Sequence, residues 1–147
     1  MADRKEKTLG GCLCGAVRFE VKGSLRDVAN CHCGMCRRLH GGYGPHSKAS
    51  KSDLRITKEE GLAWYQTSEI ARRGFCRNCG SSLFWEPFHQ DATGILAGAL
   101  DQPTGLRTLG HIFVGEKADF YTISDALPQF EASSEGGFAG DYKKRGT

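Results

Sequence analysis

The distribution of the cysteines is the feature that most constrains how this sequence can fold. Seven cysteines occur among 147 residues. They form three closely spaced groups: Cys12 and Cys14; Cys31, Cys33 and Cys36; and Cys76 and Cys79. The total is odd, and cytosolic thiols are kept reduced, so we interpret the groups as metal ligands rather than as a disulfide framework. The fold is therefore expected to bring thiols together around metal ions.

The two outer groups favour a closed structural zinc site. Residues i and i+2 of a strand point to the same side, so Cys12 and Cys14 can bind one ion together. In "CRNCG" a tight turn, with Gly80 supplying a permissive backbone, brings Cys76 and Cys79 together. Four thiolates around Zn²⁺ form a closed tetrahedral site of the structural type.

The middle group provides three thiols for a second zinc ion. Cys31 and Cys33 are predicted at the end of a strand, and Cys36 follows across a turn. Three protein ligands leave a fourth position for water or substrate, which is typical of a catalytic zinc. The sequence thus predicts two zinc ions per chain. Spacing alone also permits the first pair to join the middle group, or His32 or His40 to close the second site.

Histidines and arginines near the middle group are candidates for supporting roles. His32 should point away from its two cysteine neighbours, which favours packing or support of the ligands over metal binding. Structural or surface roles are expected for the remaining histidines, His46, His89 and His111. Arg37 and Arg38 follow Cys36 directly, so they could offset thiolate charge and bind an anionic thiol substrate. The alternative is a pair of solvated arginines on a turn.

The hydrophobic pattern predicts a mainly β protein. In "AVRFEVKG" apolar and charged residues alternate with the period of a half-buried strand. Similar short runs follow at residues 28–31, "DLRIT", "LAWYQTS", "RRGFC", "SSLFWE", "GILAGAL" and "GHIFV". The 20 glycines indicate many turns, so we predict a mostly antiparallel β domain. Short helical turns are expected at residues 35–40 and at residues 124–127, before Pro128.

Length and charge limit the classes of protein to which this chain can belong. Residues 1–147 fit a single domain, with flexible ends predicted at 1–7 and about 133–147. No apolar run approaches a membrane span, and the charged N-terminus does not resemble a secretory signal, so we expect a cytoplasmic protein without membrane contacts. The net charge of +3 comes with scattered basic residues, which makes nucleic acid an unlikely partner. The oligomeric state stays open.

Six segments, in order, resemble the glutathione-dependent formaldehyde-activating enzyme (GFA) family, also called the CENP-V/GFA domain. They are "GGCLCGAVRFEV", "CHCGMCRR", "FCRNCGSSLF", "AGALDQP", "HIFV" and "ISDALPQFE". The resemblance covers residues 9–131 and includes every cysteine. It departs from the family pattern at "LHGGYGPHSKASKSDLRIT", where a more apolar strand is expected and where we expect the chain to border the substrate pocket.

The resemblance implies a fold, a division of ligands and a reaction. The fold is the β-tent of the Mss4-like type, in which zinc pins antiparallel sheets. The outer four cysteines would bind the structural ion, and Cys31, Cys33 and Cys36 the catalytic one. The reaction would be that of a carbon–sulfur lyase, which joins glutathione, as co-substrate, to formaldehyde to form S-hydroxymethylglutathione, or runs in reverse. The alternative function is a non-enzymatic two-zinc scaffold that binds a protein or nucleic-acid partner.

Overall fold

The protein is mainly β in the computed structural model, which describes residues 7–135, Gly137 and Phe138. The strands are β1 (Lys7–Gly11), β2 (Arg18–Lys22), β3 (Val28–Cys31), β4 (Gly44–Ala49), β5 (Leu54–Lys58), β6 (Leu62–Gln66), β7 (Ala71–Cys76), β8 (Ser82–Pro87), β9 (Thr93–Leu96) and β10 (Thr108–Ile112). They form a three-stranded sheet in the order β1-β2-β5 and a seven-stranded sheet in the order β10-β3-β4-β9-β8-β7-β6. The predicted mainly β fold class is confirmed.

The named helical elements are one α-helix and three short 3₁₀ turns, and Gly137 and Phe138 are also helical. The helix is α1 (Gly34–His40), and the turns are Lys51–Asp53, Ala97–Ala99 and Val114–Glu116. The helix at residues 35–40 is thereby confirmed. At seven residues, α1 is far shorter than a bilayer crossing needs, and the described chain contains no helix that is long and apolar enough for one.

The core lies between the small sheet and one half of the large sheet. On β2, Phe19 and Val21 are 1% and 0% exposed, while their neighbours in the strand are more exposed. The ring of Phe19 meets that of Phe84, from β8, edge-on at a centroid distance of 5.0 Å. Full burial of such a side chain contributes about 1.5 to 3 kcal/mol. This contact joins the two sheets.

One strand pair departs from the mostly antiparallel pattern. β10 pairs with β3 in parallel, with Ile112 opposite Cys31. The backbone N–H of His32 then donates to the carbonyl of Ile112 at 3.0 Å. Since β3 is also paired with β4 on its other side, the end of β3 is fixed from both edges. Cys31 is therefore placed by the sheet itself.

Two predictions about local structure need correction. The helix predicted at residues 124–127 is absent, because the Asp125 carboxylate accepts a hydrogen bond from the backbone N–H of Leu127 at 3.0 Å and holds a turn. Gln129 then forms a parallel bridge with His111. Two strands, β1 and β4, were not predicted; β4 lies in the polar, glycine-rich segment where the sequence departs from the family pattern.

Some residues of the two predicted flexible ends belong to ordered structure. Lys7 is the first residue of β1 and pairs with Lys22. Near the other end, Phe138 is 6% exposed and its ring lies 5.3 Å from that of Phe130. Residues 1–6, 136 and 139–147, which complete the two predicted segments, lie outside the described residues.

Candidate metal centres

The four outer cysteines come together where β1 and β7 end. We call Cys12, Cys14, Cys76 and Cys79 the quartet; all four sulfurs lie within 4.8 Å of one another. The sulfur of Cys14 lies 3.8 Å from that of Cys12 and 3.8 Å from that of Cys76. A tetrahedral zinc with Zn–S bonds of ~2.3 Å requires sulfur–sulfur distances of about 3.8 Å. The quartet therefore fits a closed zinc site.

Tight turns give the quartet its shape. Gly15 follows Cys14 at φ 86°, and Gly80 follows Cys79 at φ 81°, in the left-handed region that favours glycine. In the first turn the backbone N–H of Val17 donates to the sulfur of Cys12 at 3.2 Å. Such bonds stabilise thiolate character without using a coordination position.

The middle cysteines converge at the N-terminus of α1. We call Cys31, Cys33 and Cys36 the trio; their sulfurs also lie within 4.8 Å of one another. Cys31 ends β3, Cys33 is the N-cap of α1, and Cys36 lies in its first turn. The Cys33 sulfur accepts a hydrogen bond from the backbone N–H of Cys36 at 3.4 Å. The helix cap thus sets the spacing of the trio.

The three thiols of the trio lie so close together that their ionisation depends on a nearby cation. Hydrogen bonds from Cys31 and then Cys36 hold the pKa of the Cys33 thiol well below its usual value. The same contacts, with Cys33 as the largest cause, raise the pKa of Cys31. Neighbouring thiolates repel each other, so three cannot all be ionised at these distances unless a positive ion lies among them. The trio therefore fits a bound metal with three protein ligands.

A cavity of about 500 Å³ opens beside the trio. All three trio cysteines line it, and its basic lining residues are Arg26, Lys48 and Arg73. Arg37 and Arg38, the predicted contacts for an anionic substrate, do not line it. They lie on α1, half-buried and exposed respectively. The structure therefore places other cations where a substrate of the trio would bind.

His40 and His46 approach one member of the trio. Their ring nitrogens and the Cys36 sulfur lie within 4.8 Å of one another, but among the described residues this group does not include the other two trio cysteines. His46 bonds the Gly44 carbonyl through Nδ1 at 2.9 Å, and Nε2 of His40 is buried without a partner. His40 thus groups with Cys36 and His46 and not with all three trio sulfurs. His46, predicted to be structural, lines the cavity.

His32 belongs to a hydrogen-bonded chain behind the trio. Its Nδ1 lies 2.5 Å from the Tyr121 hydroxyl, and its Nε2 lies 2.9 Å from Nδ1 of His111. Nε2 of His111 lies 3.0 Å from an Asp125 carboxylate oxygen, which can only accept. With both imidazoles neutral, Tyr121 must therefore donate to His32, His32 to His111, and His111 to Asp125. We call these four residues the histidine chain; as predicted, His32 points away from the metal ligands.

Some residues of the site could not be found from the sequence. Arg73 follows Arg72 in β7, and strand alternation alone shows that one of the two faces the opposite side. Arg72 stacks on Trp64, with its guanidinium carbon 3.8 Å from the ring centroid, so Arg73 is the one that faces the cavity. Tyr121 and Asp125 lie about 90 residues after His32 and carry no local signal for their contact.

The chain is similar in sequence to a known family and to two curated proteins. A sequence profile described as glutathione-dependent formaldehyde-activating enzyme matches residues 7–116. A Schizosaccharomyces pombe protein described as an uncharacterised lyase is 30% identical over 77 residues, which cover 52% of this chain and 55% of the relative. A Halomonas elongata protein provisionally described as a glutathione-dependent formaldehyde-activating enzyme is 31% identical over 101 residues, covering 63% and 64% of the two chains.

A solved structure supports the same relationship. A crystal structure of a Rhodobacter sphaeroides protein aligns with a TM-score of 0.57 and 30% sequence identity, covering 70% of this chain and 98% of that one. The chain spans between half and two thirds of the length of the two curated relatives. The profile covers most of the chain and includes both groups of sulfurs. The chain therefore belongs to the glutathione-dependent formaldehyde-activating enzyme family.

Proposed function

We propose that this protein is a zinc-dependent carbon–sulfur lyase that condenses a thiol such as glutathione with formaldehyde or a related small aldehyde, or catalyses the reverse. The trio would hold the zinc at which the reaction occurs, and the quartet would hold a second, structural zinc. The names of the family and of the Halomonas elongata relative support the choice of glutathione and formaldehyde. The description of the yeast relative as a lyase supports the reaction class.

One observation carries the proposal: the trio lines a cavity and has only three sulfurs. The cavity, at about 500 Å³, lies within the range of about 300 to 1,000 Å³ that small-molecule sites occupy. The quartet differs, since its four sulfurs can fill a tetrahedral site by themselves and none of its members lines the cavity beside the trio; Cys12 lines a separate depression. A reactant can therefore approach the trio.

The reaction is an addition without oxidation or reduction. The thiol sulfur forms a bond to the carbonyl carbon, the carbonyl π bond breaks, and the thiol proton ends on the former carbonyl oxygen. A zinc ion with an open fourth position would supply a Lewis acid that favours the thiolate form of a thiol. Cys31, Cys33 and Cys36 would hold that ion.

The chain's own residues would orient the reactants and hold the ligands. The histidine chain lies behind the trio, and the hydrogen bonds of His32 to Tyr121 and His111 keep its ring away from the metal side of β3. The cations of the cavity would attract the carboxylates of a thiol such as glutathione. Ala29, Met35 and Ile70 add apolar surface that limits water in the cavity.

The test is the exchange of ¹³C-formaldehyde with S-hydroxymethylglutathione, followed by exchange NMR. The reaction also proceeds without enzyme, so the quantity to report is the rate above that background. Wild-type protein should accelerate exchange, and Cys33→Ser should abolish the acceleration while circular dichroism stays unchanged, because the quartet is intact. Exchange at the wild-type rate in Cys33→Ser would refute the proposed role of the trio.

A further inference from the structure

Arg73 carries hydrogen-bond donors that have no acceptor. Its Nη2 lies 3.9 Å from the Cys36 sulfur, but Nε and Nη1 are buried and have no hydrogen-bond partner among the described residues. An arginine always carries its charge, and burial of its donors without acceptors is unfavourable. The side chain lines the cavity beside the trio. A hydrogen-bond acceptor that enters the cavity would provide the partner that these donors of Arg73 lack.

Neighbouring residues indicate that this acceptor is an anion. Thr67, from the hairpin between β6 and β7, lines the same cavity, and its Oγ1 is also buried without a partner. Lys48 and Arg26 add positive charge to the lining, whereas Glu135 is its acidic residue among those described. Arg26 already donates to the carbonyls of Asp27 and His46. Arg73 and Lys48 are therefore the cations that face a ligand.

We infer that Arg73, with Thr67 and Lys48, binds a carboxylate of the thiol substrate and so positions its sulfur at the trio. This inference rests on the proposed function, in which formaldehyde has no carboxylate and the anion must belong to the thiol. A carboxylate offers several lone pairs to a guanidinium and forms charge-assisted bonds with it. The substrate class is thus a carboxylate-bearing thiol, and Arg73 is its specificity-determining residue.

Arg73 has a rival role as a counter-ion for the trio. The contact between Nη2 and the Cys36 sulfur would serve that role, since a guanidinium next to a thiolate offsets its charge. A counter-ion stabilises the metal centre for every thiol alike. A carboxylate-binding residue instead distinguishes a thiol acid from its ester. The two roles therefore predict different ratios of the Kd of the ester to the Kd of the acid.

The experiment measures that ratio by binding, independently of turnover. Isothermal titration calorimetry gives the Kd of S-methylglutathione and of its diethyl ester, which cannot react, for protein purified without chelator. The proteins are wild type, Arg73→Gln, Arg73→Lys and the control Arg38→Gln, which changes an exposed arginine of α1 outside the cavity. Zinc content is measured for each. The kinetics of glutathione and its diethyl ester with formaldehyde provide a second readout.

Wild type and Arg38→Gln should bind the acid at least about 10-fold more tightly than the ester, the effect of one charge-assisted contact. Arg73→Gln should lose most of this preference, and Arg73→Lys should keep part of it. In turnover, Arg73→Gln should raise KM for glutathione about 10-fold with little change in kcat and none in KM for the ester. Equal binding of acid and ester by wild type, or a preference of wild-type size in Arg73→Gln, would overturn the inference.

The same data separate this inference from the proposed function. An acid preference that depends on Arg73, in a protein without thiol–aldehyde exchange, supports the carboxylate site and contradicts the proposed reaction. Exchange that depends on the trio, with an acid preference unaffected by Arg73, supports the reaction and contradicts the site. If Arg73→Gln does not fold, Lys48→Gln and Arg73→Lys must each weaken the preference, and wild-type ratios in both would contradict the inference.

Discussion

The quartet and the trio are built from the same side chain, but their surroundings differ. Both groups hold their sulfurs within 4.8 Å. The quartet lies between two tight turns, and the Cys14 sulfur is at tetrahedral spacing, 3.8 Å, from those of Cys12 and Cys76. The trio lies at the start of α1, on the wall of a cavity, with one ligand fewer. The comparison shows that one residue type can form two candidate metal centres that differ in ligand number and in the cavity beside them.

The two groups also differ in what supports them. Backbone turns hold the quartet, through Gly15, Gly80 and the N–H of Val17. The trio is placed by a strand end and a helix cap and has side chains behind it in addition, since the histidine chain starts at His32, between Cys31 and Cys33. Backbone turns are set locally, whereas the histidine chain joins His32, directly after β3, to β10 and to the segment after β10. Changes to the two groups should therefore have different effects on folding and on metal binding.

Replacement of Cys79 by serine should prevent folding. A structural zinc contributes an apparent ~10 to 16 kcal/mol in small modules, which is comparable with or above the ~5 to 15 kcal/mol net stability of a domain. We expect Cys79→Ser to be insoluble or to show no cooperative melting transition by circular dichroism. The matched control is Cys33→Ser, which should melt cooperatively. A soluble Cys79→Ser variant with a wild-type melting temperature would remove the structural role of the quartet.

Chelation should remove the two zinc ions at different rates. The trio faces a cavity and has three ligands, so its ion should be released first, at low chelator concentration and with the secondary structure intact. Catalysis should then fall about 100-fold or more, since even residues that only support a ligand affect activity by ~10- to 100-fold. Metal analysis, exchange NMR and circular dichroism on the same samples provide the measurement. Loss of both ions in one step, together with unfolding, would contradict the proposed difference between the trio and the quartet.

The sequence predicted the local features of these centres and missed their distant contacts. The spacing of the cysteines indicated both groups, because turn and strand geometry are set within a few residues. Strand β4 was missed because its polar residues have tertiary roles: the buried hydroxyl of Ser47 donates to the Arg26 carbonyl at 2.7 Å, and His46 lines the cavity. Burial of a polar side chain depends on its partner, and the partner lies 21 residues away.

The arginines near Cys36 show even more clearly that sequence spacing does not predict contacts between distant residues. Arg37 and Arg38 were predicted from their closeness to Cys36 in sequence, but they do not line the cavity beside the trio. Arg73 lies 37 residues after Cys36 and reaches its sulfur across the sheet. Closeness in sequence thus indicated which cysteines cluster, because turns group them, but it did not indicate Arg73, which the pairing of strands brings to the cavity.

Replacement of His111 by phenylalanine should weaken the trio and leave the quartet intact. Phenylalanine fills the buried site but cannot accept a hydrogen bond, so Nε2 of His32 loses its partner at 2.9 Å. An unsatisfied buried donor destabilises a protein by about 1 to 3 kcal/mol. Zinc affinity at the trio should fall about 10- to 100-fold, as for other residues that support metal ligands. Competition with a chromophoric chelator measures both sites, and an equal loss at the quartet would contradict the separate support of the two centres.

Replacement of Asp125 by asparagine should have the smallest effect, because it changes the end of the histidine chain and not its buried middle. The carboxylate accepts from Nε2 of His111 through both oxygens, and its side chain is 45% exposed. Asparagine keeps one oxygen for that bond but loses the negative charge, and charge-assisted hydrogen bonds are stronger than neutral ones. Zinc affinity at the trio should therefore fall by less than about 10-fold, the lower end of the range for such support. The same chelator competition, run beside His111→Phe, tests the order of the two effects. A loss as large as that of His111→Phe would mean that the charge of Asp125, rather than the buried contact between the two histidines, holds the trio in place.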